Sequence, residues 1–159
     1  MNLLAQQLKA LLESEPDVIA NAANMASLLF NNLEQVNWVG FYFLKESNEQ
    51  SKELVLGPFC GQPACTRIPL GKGVCGTAFA QQQTLVVDDV HAFDGHIACD
   101  AASQSEIVVP FNFNTYGMDG APSIAGVLDI DSPIKNRFDD ADKHFFEKAM
   151  QLYVNACEL

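Results

Sequence analysis

The chain has 159 residues and a formal charge of −11, from 20 acidic and 9 basic residues. That length suits one domain, residues 1–159, with its own core, and the charge, without any basic patch, argues against nucleic acid and against anionic membrane surfaces as partners. No apolar run is long enough to cross a bilayer and the N-terminus lacks a basic n-region, so a cytoplasmic protein is expected.

In chain order, Leu3, Leu4, Leu8, Leu11 and Leu12 recur at a helical period. Ser14 is the expected N-cap of a second helix, with Pro16 in its first turn and Ile19, Ala22, Ala23, Ala26, Leu29 and Phe30 as its buried stripe. The period then changes. VNWVGFYFL is β-branched and aromatic and reads as a buried strand. KESNEQSK is a polar turn, and ELVLGPFCG is the returning strand of an antiparallel hairpin. Gln62 to Gly73, with two prolines and two glycines after them, reads as a connecting loop.

Val74 to Gln82 suits a short helix and Thr84 to Val87 a short strand. His91 to Ser103 is a loop, Glu106 to Phe111 a strand, and Asn112 to Ser123 a turn-rich excursion. Ile124 to Ile130 is a further strand, running into LDIDSP. Asp139 is placed to N-cap the last helix, with Asp142 near N3 and Phe145, Phe146, Ala149, Leu152 and Tyr153 as its stripe. Helices at the two ends and strands between them predict an α+β fold, an antiparallel sheet with the terminal helices on one face.

The most reactive-looking stretch is HAFDGHIACDAASQSEIVVP. Cys99 lies there among small polar residues, a setting that suits a helix start or tight turn rather than a packed core. A helix N-terminus lowers a thiol pKa toward the reactive thiolate. Glu106 opens the strand that follows. Asp129 and Asp131 sit two apart on a strand and so share a face, as do Trp38 with Tyr42 within four residues. Taken singly, these signals are ambiguous. LDIDSP reads as a strand end with solvated acids, Trp38 and Tyr42 as core, and Cys75 as a small buried residue. His91 and His96 read as loop-shaping. The five cysteines, an odd number without a CxxC pair, argue against a disulfide framework, and no metal site is expected.

Together, NWVGFYF, GPFCGQPACTRIPLGKGVCGTA, VVDDVHAFDGHIACDAASQSEIVVP and GVLDIDSP closely resemble the free methionine-R-sulfoxide reductases, stand-alone GAF-domain enzymes. The likeness runs from about Asn37 to the last helix. It implies a GAF-like fold and an oxidoreductase that reduces free methionine-R-sulfoxide to methionine. It also implies no bound cofactor and recycling by thioredoxin, with NADPH acting through thioredoxin reductase. By residue, it implies Cys99 as the catalytic cysteine and Cys65 and Cys75 as the other redox cysteines. Glu106, Asp129 and Asp131 are then the substrate carboxylates, and Trp38 and Tyr42 the pocket aromatics. Cys65 is the first choice for resolving thiol and Cys75 the second. The proton donor is Glu106 or one of the Asp pair. Cys60 and the long Asn112–Ser123 excursion depart from the pattern, and Cys157, like Cys60, reads as a bystander. Oligomeric state is open, a homodimer through the first helices being one reading. The alternative to an enzyme is a non-catalytic GAF domain that senses a small ligand or redox state.

Overall fold

The computed structural model describes residues 2–46, 52–95, 102–113 and 124–157. Two helices come first, α1 (Asn2–Leu12) and α2 (Val18–Asn32), and α4 (Asp140–Cys157) comes last. Six strands lie between: β1 (Trp38–Glu46), β2 (Lys52–Gly61), β3 (Arg67–Pro69), β4 (Leu85–Val87), β5 (Ser105–Asn112) and β6 (Ala125–Ser132). They form one antiparallel sheet in the order β3-β2-β1-β6-β5-β4. The helix α3 (Gly73–Gln81) and a short 3-10 turn at Val90–Ala92 interrupt the strands.

Strand alternation divides the sheet's side chains between two cores. On one face, Val39, Phe41, Phe43, Ile107, Val109, Phe111, Leu128 and Ile130 meet the apolar stripes of α1, α2 and α4. Tyr153 of α4 lies against Phe41 and Phe111, with ring centroids 5.2 and 5.6 Å away. Each such ring pair adds about 0.5–1.5 kcal/mol beyond simple burial. The Tyr153 hydroxyl donates to the Val18 carbonyl at 3.0 Å, so the polar tip is satisfied and α4 is tied to α2. On the other face, Trp38, Tyr42, Val108 and Val127 pack beneath Val74, Cys75 and Ala78 of α3. The terminal helices thus share one face, as the sequence predicts, and α3 covers the opposite one.

Several local expectations are corrected. The N-cap of α2 is Asp17, not Ser14: its carboxylate accepts from the Ala20 amide at 2.8 Å, and Pro16 precedes the helix. The buried stripe is Asn21, Ala22, Met25, Ala26 and Leu29, set by how α2 docks on the sheet, while Ile19 is 54% exposed and Ala23 faces solvent. The Gln62–Gly73 loop contains β3, too short for a periodicity to register. Ile124 lies outside β6 and is exposed. The excursion after Phe113 falls outside the described residues.

The start of α4 follows the expectation closely. Asp139 accepts from the Asp142 amide at 2.9 Å and Asp142 accepts from the Asp139 amide at 3.1 Å, a reciprocal capping box. Asp142 also accepts from Arg137 at 2.9 Å, and Arg137 lies over the Phe138 ring. Asp142→Ala breaks both halves of this arrangement. A loss of about 1–2 kcal/mol is expected, read in thermal denaturation as a midpoint lowered by roughly 3 °C per kcal/mol. An unchanged midpoint would show the box to be without weight.

Candidate active site

The α3-facing side of the sheet gathers the residues singled out in the sequence. Register places Glu106 opposite Asp131 and Val108 opposite Asp129 across β5 and β6. Across β6 and β1, Asp131 stands opposite Trp38 and Asp129 opposite Gly40. The shared face of Asp129 and Asp131 therefore also carries Glu106, Trp38 and Tyr42. Gly40 is required here, since a Cβ at that position would lie 2.3 Å from the Trp38 ring.

The acids are not a solvated strand end. Glu106 is 6% exposed and Asp129 7%, with Asp131 half-buried nearer the edge. Above them α3 brings Cys75, whose Sγ lies 3.8 Å from Glu106 Oε1. One ligand atom from each of Cys75, Glu106 and Asp129 falls within 4.8 Å of the others. Asp129 Oδ1 is fully buried and has no hydrogen-bond partner among the described residues. A buried carboxylate oxygen left unpaired is costly, on the order of 1–3 kcal/mol, and such an atom is a natural receptor for a ligand donor.

Proximity and burial set the protonation states. Burial is the main cause lifting Glu106 well above the usual carboxyl range, and the charges of Asp129 and Asp131 push the same way. Burial also lifts Asp129, to about 6, while its polar neighbours Cys75 and Glu106 pull it back down. Two carboxyls this close cannot both ionise cheaply, so the pair keeps a proton near neutral pH. Cys75 stands in the first turn of α3, where the helix dipole favours thiolate. Burial, followed by the Asp129 and Glu106 charges, outweighs that and holds the thiol well above its ordinary value. Cys75 is thus a protonated, poorly nucleophilic sulfur at neutral pH.

The aromatic wall is braced by the loop after β2. Trp38 Nε1 donates to the Gln62 carbonyl at 3.0 Å, and the Tyr42 hydroxyl donates to the Cys65 carbonyl at 2.9 Å. Trp38 stacks between Tyr42 and Phe59, with centroids 5.9 and 5.4 Å away. Phe59 was not legible as part of this wall. The pairing of β1 with β2 slips by one residue between Gly40 and Tyr42, beside Pro58, so simple alternation from the β2 sequence does not apply. The core reading of Trp38 and Tyr42 also holds, for both are almost wholly buried.

Cys65 is disulfide-bonded, while Cys60, Cys75 and Cys157 are free thiols. Cys99 and His96 lie outside the described residues. The described flanks of that stretch border the acidic face: the Gly95 carbonyl accepts from the amide of Gly73 at the start of α3 at 3.2 Å, and Ser103 Oγ bonds Asn37 Nδ2 at 3.2 Å, next to Trp38.

The GAF domain family matches residues 10–156. A Bacillus subtilis protein, YtsP, is 58% identical over 143 residues, covering 90% of this chain and 82% of its own. The free methionine-R-sulfoxide reductase of Escherichia coli is 49% identical over 140 residues, covering 88% and 78%. This chain belongs to the GAF-domain family of free methionine-R-sulfoxide reductases. In structure, the reduced form of fRMsr from Staphylococcus aureus superposes with a TM-score of 0.87 at 51% identity, covering 98% of this chain and 94% of that one. The complex of the same S. aureus protein with substrate superposes at 0.86 and 50% identity, with the same two coverages. Among the described residues, Trp38, Tyr42, Cys75, Glu106 and Asp129 of the signatures that mark the reductase family lie together on the α3 side of the sheet. They come from β1, α3, β5 and β6, and the antiparallel register of β1, β6 and β5 brings the strand residues side by side.

Proposed function

We propose that this protein is an oxidoreductase that reduces free L-methionine (R)-S-oxide to L-methionine, with Cys99 as nucleophile. The observation that carries the reading is the buried, closely spaced Glu106–Asp129 pair, with Asp129 Oδ1 unpartnered among the described residues; burial there favours a retained proton. A sulfoxide needs a proton for its departing oxygen, and a free amino acid brings an ammonium that seeks a buried carboxylate. A protein-bound methionine sulfoxide has no such ammonium. The two demands match the two halves of the pair.

The Cys99 thiolate attacks the sulfoxide sulfur and the pair supplies a proton to the oxygen. Methionine leaves, its sulfur reduced by two electrons, and Cys99 is left oxidised as a sulfenic acid. The Cys65 thiol condenses with it, releasing water and forming a disulfide. The dithiol of thioredoxin reopens that bond by exchange. Cys65 as the resolving thiol is supported by its bonded state in a chain whose Cys60, Cys75 and Cys157 are free. Cys75, buried and protonated, is less suited to that attack. Trp38 and Tyr42 wall the subsite for the methyl group, and Asp131, opposite Glu106, completes the acidic side. The work belongs in the cytoplasm, where thioredoxin is kept reduced.

The test is NADPH consumption by the protein with thioredoxin, thioredoxin reductase and racemic free methionine sulfoxide. Consumption is expected to stop at about half of the substrate, since one enzyme serves each epimer. No consumption, or complete consumption, sinks the assignment. Cys65→Ser should still release about one equivalent of methionine per chain and then stall with thioredoxin. Full cycling by that variant would pass the resolving role to Cys75.

A further inference from the structure

Cys75, Glu106 and Asp129 make up a donor set that the reductive cycle does not use as such. One sulfur and two carboxylate oxygens, from α3, β5 and β6, lie within 4.8 Å of one another. All three residues are buried, and Asp129 Oδ1 has no partner among the described residues. We propose that these residues bind a thiophilic divalent cation of the zinc class, and that the bound ion occupies the acidic pocket and excludes the substrate. The first half rests on geometry and donor chemistry alone. The second rests on the reading of the carboxylates given above.

Zinc takes sulfur at about 2.3 Å and carboxylate oxygen at about 2.0–2.2 Å, so neighbouring ligands around one tetrahedral ion are roughly 3.3–3.7 Å apart. The Sγ–Oε1 distance of 3.8 Å is already near that, and a contraction of at most about 1.5 Å closes the widest pair. A mixed sulfur and oxygen set favours a borderline-soft ion over calcium or magnesium, which take oxygen ligands alone. The ion replaces the thiol proton of Cys75 and the proton shared by the carboxyl pair, and both pass to solvent. One cation thereby neutralises a thiolate and a carboxylate in a site where each is costly by itself. Three ligands from three elements leave the fourth position to water, the arrangement of an open rather than a closed zinc site.

Cobalt(II) is the probe, because a cobalt–thiolate bond gives a near-ultraviolet charge-transfer band. The chain is titrated with its Cys65 disulfide intact, so that the described free thiols are Cys60, Cys75 and Cys157. One equivalent of cobalt is expected to bind with a thiolate band and to be displaced by zinc. Cys75→Ser should abolish the band, and Asp129→Asn should weaken cobalt binding at least about tenfold, with circular dichroism confirming that each variant folds. Cys60→Ser and Cys157→Ser should leave the band intact. A titration without a thiolate band, or a band that survives Cys75→Ser, overturns the site. Free methionine-R-sulfoxide should displace the cobalt. If the Cys75-dependent band forms and the sulfoxide leaves it untouched, the metal site stands and the substrate role of the carboxylates falls.

Discussion

Asp129→Asn should leave the protein more stable at neutral pH and at least about 100-fold less active, the lower end of what a positioned proton-transfer group contributes. The two effects share one cause. Burial holds the Asp129 carboxyl up at about 6 and Glu106 well above its usual range. An acid whose folded pKa exceeds its unfolded value binds its proton more tightly when folded. Its contribution is therefore present at low pH and is lost as pH rises from about 4, through about 6 for Asp129 and further for Glu106. At pH 7 the folded chain carries buried charge that the unfolded chain does not. Asparagine removes that charge in nearly the same volume and still offers an amide donor to Glu106. A gain of about 1–3 kcal/mol at pH 7 is expected, with little gain at pH 4 and a flatter pH–stability curve than the parent chain. Denaturant melts at the two pH values, with sulfoxide turnover measured alongside, decide it. A variant less stable at pH 7 would mean that the carboxylate is favoured in place, contrary to its environment. A variant with parental activity would remove Asp129 from the chemistry.

Cys99→Ser should lower turnover by at least about 10⁴-fold, the scale on which removal of a covalent nucleophile is felt, and should leave the melting curve of the fully reduced chain unchanged. The rival sulfur close to the acids is Cys75, and its surroundings disqualify it: burial and two neighbouring carboxyls keep its proton on. The decisive measurement traps the intermediate. In Cys65→Ser, which lacks the proposed resolving thiol, one equivalent of substrate should leave a sulfenic acid that a cyclic diketone labels. Mass spectrometry should find the label on the peptide around position 99. Label on the Cys75 peptide, or turnover by Cys99→Ser, would move the nucleophile.

The acids stand where they cost the fold stability. A sheet face covered by α3 would be more stable if it were apolar throughout, as its other occupants Val108, Val127, Val74 and Ala78 are. Two buried carboxyls and an orphaned oxygen in that layer are a cost carried by the remaining core. The aromatic cluster and helix stripes on the opposite face supply the opposing stability.

Much of this molecule is written in local pattern. The leucine spacing of α1, the aromatic run of β1, the paired acids of β6 and the Asp139–Asp142 cap each depend on residues within a few positions of one another. Periodicity and capping chemistry therefore reveal them, and the α+β class follows. Contiguous signatures such as GHIACDAAS and LDIDSP likewise reveal the family, because they are matched residue by residue. Where the pattern was weak, tertiary context decided. Asp17 rather than Ser14 caps α2, β3 exists because β2 offers it a partner, and the slip beside Pro58 brings Phe59 onto Trp38. The protonation states were decided by tertiary structure alone. LDIDSP has the same letters whether its acids are solvated or sealed. Only the pairing of β6 with β1 and β5, and the placement of α3 and Cys75 above them, removes water from Glu106 and Asp129 and turns two ordinary carboxylates into a pair that keeps its proton.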